Sequence, residues 1–573
     1  MAALLVCGAG FAADEIHWTI TGPTSVTFDW RGSISENTVR YGLSAGSYGT
    51  TVTAASPTGT CVPYSSAGPF FEAKLTGLLP DTLYHYSIAE GPDHTFRSAP
   101  QSGTSSFDIL VAGDFGNGSI YSRMVGVQQQ MAQETDARFV LAVGDLTYAD
   151  TNGLPHVGLH FNDVMPWSRD VAYMPAWGNH EWDNPPPQVD DLRNYKGRFD
   201  LPNPQTAVGT PAISNCGEDW YWFDYGNVRF IAYPEPWTGA WADWNTRVQA
   251  LMDAAQVSSS IRFIVTFGHR PAYSSGHHTG SATLASYLDA LAASHSKYVL
   301  NVNGHSHNYE RSFPQDGALD NRFGVTHITA GTGGSNLERQ APPACPWLTC
   351  AQPSWSAVRY FHLGYLKLTF TASSIAGTFV CGPASSADDV ACAEGAVLDS
   401  FVLTPSLCRD SDNDGFGAPG DVTCPNGATI DCDDSDPNTY DGAPEVNDGL
   451  DNQCSGVSGY GLVDETTGVS GFHSTTSPKT DYVWPPQQGA TGYEVARSVL
   501  PDFSPGCGTV ATSVASFTDP EVPASGQVFY YLVRPVSPFV GSWGARSSGV
   551  DRGPNCTNLF FESSVTAKSF KTP

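Results

Sequence analysis

The chain has 573 residues, too many for one domain and enough for three or four. A hydrophobic fraction of 40% with 12% aromatics suits folded, core-forming domains and excludes a disordered chain. Fifty-seven acidic residues against twenty-eight basic ones give a net charge of −29, which excludes a nucleic-acid-binding surface built on Lys and Arg.

The first thirteen residues are small and apolar, too short a run to span a bilayer. They read as the apolar core of a secretory signal, with Gly10-Phe11-Ala12 as a cleavage site, although the basic start is missing. Export would make the chain extracellular, surface-bound or periplasmic. Of thirteen cysteines, twelve remain once Cys7 is removed, and in an exported protein most would be disulfides. Cys345 with Cys350 and Cys381 with Cys392 are the close pairs. No later segment is long and apolar enough to cross a membrane.

Residues 14–100 alternate apolar and polar positions in short runs between Gly and Pro turns, the pattern of an all-β domain. The stretch Leu75-Thr76-Gly77-Leu78-Leu79-Pro80-Asp81-Thr82-Leu83-Tyr84-His85-Tyr86 resembles a fibronectin type III module, in which a tyrosine pins the corner of a sandwich. Residues 104–405 change character. Strands are expected over 107–112, 139–143, 261–267 and 298–302, and helices over 122–134, 241–256 and 282–293. A hairpin turning at Gly226-Asn227 and further strands over 363–405 complete a mixed α/β sheet system. Residues 406–460 are rich in Asp, Gly and Asn and cannot build an apolar core. Residues 465–573 return to β patterns and weakly echo the N-terminal domain.

Five clusters in the α/β region each follow a strand or sit where a strand should end: Gly113-Asp114-Phe115-Gly116, Gly144-Asp145-Leu146-Thr147-Tyr148, Gly178-Asn179-His180-Glu181, Gly268-His269-Arg270-Pro271, and Gly304-His305-Ser306-His307-Asn308-Tyr309-Glu310-Arg311. Loops at the carboxyl ends of strands in an open α/β sheet can converge on one ligand. Carboxylate, phenolate, amide oxygen and imidazole are all metal ligands, and a glycine before each lets the backbone approach a bound ion.

In this order the clusters resemble the purple acid phosphatases, within the calcineurin-like metallophosphoesterases, over about residues 14–405. The resemblance implies one metal at Asp114, Asp145, Tyr148 and His307. It implies a second at Asp145, Asn179, His269 and His305, with Asp145 as the bridge. Tyr148 implies ferric iron at the first position, and the second ion would be divalent iron, zinc or manganese. One position departs from the family: Thr266 stands where valine is usual before the second-site histidine. The expected fold is multi-domain, α/β plus β: a metallophosphoesterase α/β sandwich with mixed sheets, flanked by fibronectin type III-like β-sandwiches.

The expected reaction is two-metal hydrolysis of a phosphate monoester on a small phosphorylated substrate, by attack of a metal-bound hydroxide on phosphorus. His180, next to Asn179, would bind phosphate and assist the leaving group. His277 and His278 would lie over the substrate, with His278 the favoured general acid. Glu181 and Arg311 read as supports. His156, His160, His295, His327 and His362 receive no role. A phosphodiesterase or nucleotide-cleaving enzyme would use the same metals; an inactive surface or adhesion protein is the reading from another class.

The acidic segment carries Asp410-Ser411-Asp412-Asn413-Asp414-Gly415, the first half of a calcium loop, with Asp421 at its twelfth position. A second register takes Asp434, Asp436, Asn438 and Glu445. The whole run resembles a metal-binding repeat of bacterial surface proteins, and calcium is expected there.

Overall fold

The computed structural model describes residues 13–558 apart from 183–191, 316–323, 340–346, 348–349, 405–407, 409, 419, 421–423, 445–450, 457–471, 488–489, 505, 538–539, 545–551 and 555. The signal-like run to residue 12, Cys345, Asp421 and Glu445 lie outside these residues. Two compact units divide at residue 406.

In the first unit, seven strands come first: β1 (Asp14–Gly22), β2 (Ser25–Arg31), β3 (Thr38–Gly42), β4 (Thr50–Thr53), β5 (Phe70–Leu75), β6 (Leu83–Ile88) and β7 (His94–Arg97). They form a three-stranded sheet, β1-β2-β5, and a four-stranded one, β4-β3-β6-β7. Trp18 and Phe28 from the first sheet meet Tyr86 and Phe96 from the second in a shared aromatic core. The Tyr84 hydroxyl accepts from the Leu79 N–H at 2.9 Å and ties the turn before β6 to the strand.

The α/β part follows: β8 (Phe107–Ala112), α1 (Met124–Met131), β9 (Ala137–Val143), α2 (Ala149–Asn152), α3 (Pro155–Ser168), β10 (Ala172–Ala176), α4 (Arg193–Lys196), β11 (Trp222–Tyr225), β12 (Val228–Ala232), α5 (Ala240–Val257), β13 (Phe263–Phe267), α6 (Ala282–Ser294), β14 (Tyr298–Asn303), β15 (Tyr309–Ser312), β16 (Thr326–Ala330), β17 (Ser356–Tyr360), β18 (Gly364–Phe370), β19 (Ile375–Cys381) and β20 (Val397–Leu403). One sheet has the order β10-β9-β8-β18-β19-β20, the other β11-β12-β13-β14-β16-β15-β17. In the first, β8, β9 and β10 run parallel and β18 antiparallel. In the second, β12, β13, β14 and β16 run parallel. Both sheets are therefore mixed, and they stack face to face. Phe139 on β9 lies 5.6 Å from Phe223 and 5.3 Å from Phe230 across the interface.

Both strands in the 221–233 hairpin and all the helices and strands expected up to residue 302 are present, with ends shifted by a few residues. Several elements carried no sequence signal, α3 and β10 among them. α3 begins on Pro155 and holds Pro166 near its end. β10 contains Pro175, which is tolerated because β10 is an edge strand.

The N-terminal β region is fastened to the α/β part by buried polar contacts. Ser168 donates to the Ile16 carbonyl at 2.8 Å, Tyr86 donates to the Arg169 carbonyl at 2.7 Å, and Glu15 is ion-paired with Arg198. The Cys61–Cys216 disulfide joins the same two regions. The expected Cys381–Cys392 bridge is present between β19 and the turn before β20.

In the second unit, three further disulfides are present: Cys408–Cys424, Cys432–Cys454 and Cys507–Cys556. Beyond residue 472 it contains a three-stranded and a four-stranded sheet with a small core of Trp484, Tyr493, Val495 and Phe517.

Candidate metal centre

The five clusters meet at the carboxyl ends of five parallel strands. Asp114 follows β8, Asp145 and Tyr148 follow β9, Asn179 and His180 follow β10, His269 follows β13, and His305 and His307 follow β14. The chain turns sharply after β8, β9 and β14: Asp114, Asp145, Tyr148 and His305 all have positive φ, between 50° and 69°. Such backbone costs about 1 kcal/mol or more per residue and persists where surrounding contacts over-determine it. The glycines ahead of the ligands serve close approach. A Cβ on Gly178 would lie 2.2 Å from Asp145 Oδ1, and one on Gly144 would lie 2.6 Å from the His269 ring.

Two groups of donors result, one of Asp114, Asp145 and His307 and the other of Asp145, His269 and His305. All are buried, and in each group the ligand atoms lie within 4.8 Å of one another. Asp145 belongs to both. Around the first group, Tyr148 places its hydroxyl 2.9 Å from His307 Nε2 and 3.3 Å from Asp114 Oδ1. Around the second, Asn179 Oδ1 is 3.2 Å and Asp145 Oδ2 3.1 Å from His269 Nε2. The structure thus brings all seven sequence-predicted ligands together.

The donor set fits metal ions. His269 Nδ1 donates to the Val143 carbonyl at 2.9 Å, and His307 Nδ1 to the Asn336 carbonyl at 2.8 Å. Nε2 of His269 then faces carboxylate and amide oxygens, and Nε2 of His307 faces Asp114 and the Tyr148 hydroxyl, an arrangement that a cation would satisfy. Without one, a proton takes that place. Burial alone would lower His269 and His307, but Asp145 holds the first up at about 10 and Asp114 the second at about 9. His305 is different. Burial, then His269 and Arg270, push it down, and Arg270 Nη1 donates to His305 Nε2 over 2.6 Å.

His180 stands beside the clusters, its ring 4.3 Å from that of Tyr148. Asp150 accepts from His180 Nδ1 at 2.8 Å, and His180 Nε2 lies 3.9 Å from Asp145 Oδ2. His278 stacks on His305 at 4.0 Å, with its Nε2 3.5 Å from Glu338 Oε1, and His277 lies at 4.7 Å from it on the exposed side. Glu181 points inward: its carboxylate accepts from the backbone N–H of Asp145, Leu146 and Gly178. Arg311 is turned away and clamps Asp399 through two hydrogen bonds of 2.8 and 3.0 Å. Thr266, the departure from the family pattern, is buried in β13 and bonds Tyr298 and Asn301 through its hydroxyl. Its side chain fills a valine-like place and adds an anchor.

Sequence reasoning missed Asp150, Glu235, Arg270 as a partner of His305, and Glu338. Glu235 accepts from Arg270 Nε and Trp182 Nε1, both at 3.1 Å. None of these lies in a recognisable cluster except Arg270, whose place beside His269 was its only signal.

In the acidic segment, Asp410, Asp412 and Asp414 are brought together. Asp434 instead accepts from the Ser411 backbone and hydroxyl, and Asp436 accepts from Asn438 and Thr439.

Known families match in the same order. A purple acid phosphatase N-terminal domain model covers residues 13–108, a calcineurin-like phosphoesterase model residues 107–309, and an iron/zinc purple acid phosphatase-like C-terminal model residues 324–399. A metal-binding motif model covers residues 431–458. Among curated proteins, "Probable inactive purple acid phosphatase 27" of Arabidopsis thaliana is 27% identical over 391 residues, 60% of this chain and 59% of that protein. "Purple acid phosphatase 18" from the same plant is 26% identical over 375 residues, 63% of this chain and 79% of that one. A solved purple acid phosphatase from yellow lupin seeds shares the fold, with a TM-score of 0.53 at 20% identity, covering 69% of this chain and 74% of its own. Residues 13–399 match in order the N-terminal, phosphoesterase and C-terminal models of the purple acid phosphatases.

Proposed function

We propose that this protein is an exported phosphatase that hydrolyses phosphate monoesters of small molecules at the paired clusters. The observation that carries the reading is Asp145, one carboxylate common to two buried donor groups. Asp114, Asp145, Tyr148 and His307 would hold a ferric ion, and Asp145, Asn179, His269 and His305 a divalent iron, zinc or manganese ion. Two such ions supply an activated water near neutral pH and neutralise charge on the phosphoryl oxygens. The buried Tyr148 phenol beside Asp114 supports a trivalent cation, which favours phenolate.

The side chains divide the remaining work. Asp150 takes the Nδ1 proton of His180 and fixes its ring, leaving Nε2 on the side of the clusters to bind a phosphoryl oxygen. His278, stacked on His305 and beside Glu338, is placed to give a proton to the leaving oxygen, with His277 next to it at the rim. Arg270, held by Glu235, must release His305 Nε2 for that nitrogen to bind a cation.

Export is supported by the disulfides of both units. The β regions at 14–100 and 465–573 read as fibronectin type III-like, the first because Tyr84 pins its corner. The acidic segment reads as a calcium-bound element outside the reaction.

Purified protein should contain about two transition-metal ions per chain and release phosphate from an aryl phosphate. Asp145→Ala should lose both the metal and the activity. A variant that hydrolyses as well as the parent refutes the assignment. A parent that binds two metals but releases no phosphate belongs with inactive proteins of the fold, and one that prefers a bis-aryl phosphate is a diesterase.

A further inference from the structure

Two loops meet beside the metal centre, and each is pinned to it. The loop between β13 and α6 carries His277 and His278. Just ahead of them Ser275 donates to Glu310 through its backbone N–H at 2.7 Å and its hydroxyl at 2.6 Å. A Cβ on Gly276 would lie 2.2 Å from Asn308 Oδ1 and from Ser306 Oγ, so the chain is pressed against the turn that bears His305 and His307. The stretch after β16 carries Glu338. There the Ser335 N–H donates to the Asp114 carbonyl at 2.9 Å, and the Asn336 carbonyl accepts from His307 Nδ1 at 2.8 Å.

The two loops bring a third group of donors together. One ring nitrogen each of His277 and His278 and one carboxylate oxygen of Glu338 lie within 4.8 Å of one another. His278 Nε2 is 3.5 Å from Glu338 Oε1. Two donors on one tetrahedral zinc ion, with bonds of about 2.0–2.2 Å, stand about 3.4 Å apart. That pair therefore already has the separation of ligands to a shared ion. His277 is exposed and the other two are half-buried, so an ion in solution reaches the group. None of the three belongs to the two buried donor groups. The donor types select the ion. Two imidazoles and a carboxylate with an open fourth position are a zinc set, whereas calcium and magnesium take oxygen ligands.

We propose that His277, His278 and Glu338 form a third metal site at the rim of the centre, which takes a zinc ion from solution and thereby withdraws His278 from proton donation. The site stands on the geometry of the three side chains. Its inhibitory effect rests on the reading of His278 as proton donor to the leaving oxygen. An imidazole nitrogen that binds a metal uses its lone pair and carries no proton. With zinc on Nε2, the atom that faces Glu338, His278 has no proton there to give, and phosphate release falls as the ion binds.

The test uses the full chain purified with the ions of its metal centre. It is titrated calorimetrically with Zn2+, with metal analysis and phosphate release from an aryl phosphate followed in parallel. The parent should take up a further zinc ion and lose activity as it does, while Ca2+ should leave phosphate release unchanged. Glu338→Gln and His277→Ala should each bind that ion roughly tenfold or more weakly. The zinc concentration that halves each variant's own rate should rise by the same factor. Near-ultraviolet circular dichroism checks that each variant folds, and if Glu338→Gln does not, the exposed His277→Ala carries the test. Parent-like zinc affinity in a folded variant, no further zinc on the parent, inhibition by calcium equal to that by zinc, or an active parent that binds the ion without slowing overturns the proposal. A parent that binds the further zinc in a manner both variants weaken, yet releases no phosphate at any zinc concentration, keeps the site and sinks the hydrolytic reading instead.

Discussion

Replacing Glu181 by glutamine removes one charge and one acceptor oxygen from beneath the metal centre while keeping the side chain's size. Glu181 is fully buried and accepts three backbone N–H groups: Oε2 those of Asp145 at 3.0 Å and Gly178 at 2.7 Å, Oε1 that of Leu146 at 2.8 Å. It thereby joins the loop after β9 to the loop after β10. A glutamine can satisfy one side only. Its amide N–H2 must face at least one backbone N–H, which leaves a buried donor without a partner at about 1–3 kcal/mol. The bonds that survive lose their charge assistance, about 1 kcal/mol each. The total is about 3–5 kcal/mol, and part of it falls on the positions of Asp145 and Asn179. Metal affinity, measured by competition with a chromophoric chelator, should fall 10–100-fold, and the melting temperature of the metal-free protein should also drop. A Glu181→Gln protein with parental affinity and parental stability would refute the reasoning, because it would mean that the two loops hold their geometry without this carboxylate.

Two further predictions concern stability. Lys196 and Asp219 form an ion pair of 2.5 Å with both side chains inaccessible to solvent, and Asp219 also accepts from the Ala207 N–H and the Thr210 hydroxyl. Lys196→Met strands that carboxylate and should cost about 3–5 kcal/mol in denaturant unfolding; a loss below 1 kcal/mol would mean that the pair is solvated. His327 is buried on β16, with Nδ1 3.2 Å from Oδ1 of Asn301 on β14, and burial pushes it down to about 3. The folded state refuses a proton that the unfolded chain accepts near pH 6.5, so its contribution is whole above about 6.5 and drains as pH falls toward 3, at about 1.4 kcal/mol per unit. Between pH 6.5 and 5 the loss is about 2 kcal/mol, and His327→Gln should flatten that limb of the stability profile. An unchanged slope would refute the assignment.

The order of residues along the chain already marked the α/β region. Apolar runs of strand length alternate with helical periods, and each ligand-bearing glycine cluster follows a strand or stands where one should end. These are local signals: a strand's period, a glycine's tolerance of positive φ and the side chain next to it are all written within a few residues. The same locality hid α3 and β10, because Pro155, Pro166 and Pro175 read as breakers until a helix start and a sheet edge accommodate them.

What the tertiary structure alone decided is which groups share a space. Nothing in the spacing says that Asp150 would orient His180, or that Glu235 would hold Arg270 against His305. Each of these pairings joins separate stretches of chain. Their energies depend on burial and on the absence of competing water, quantities that exist only once the chain has folded.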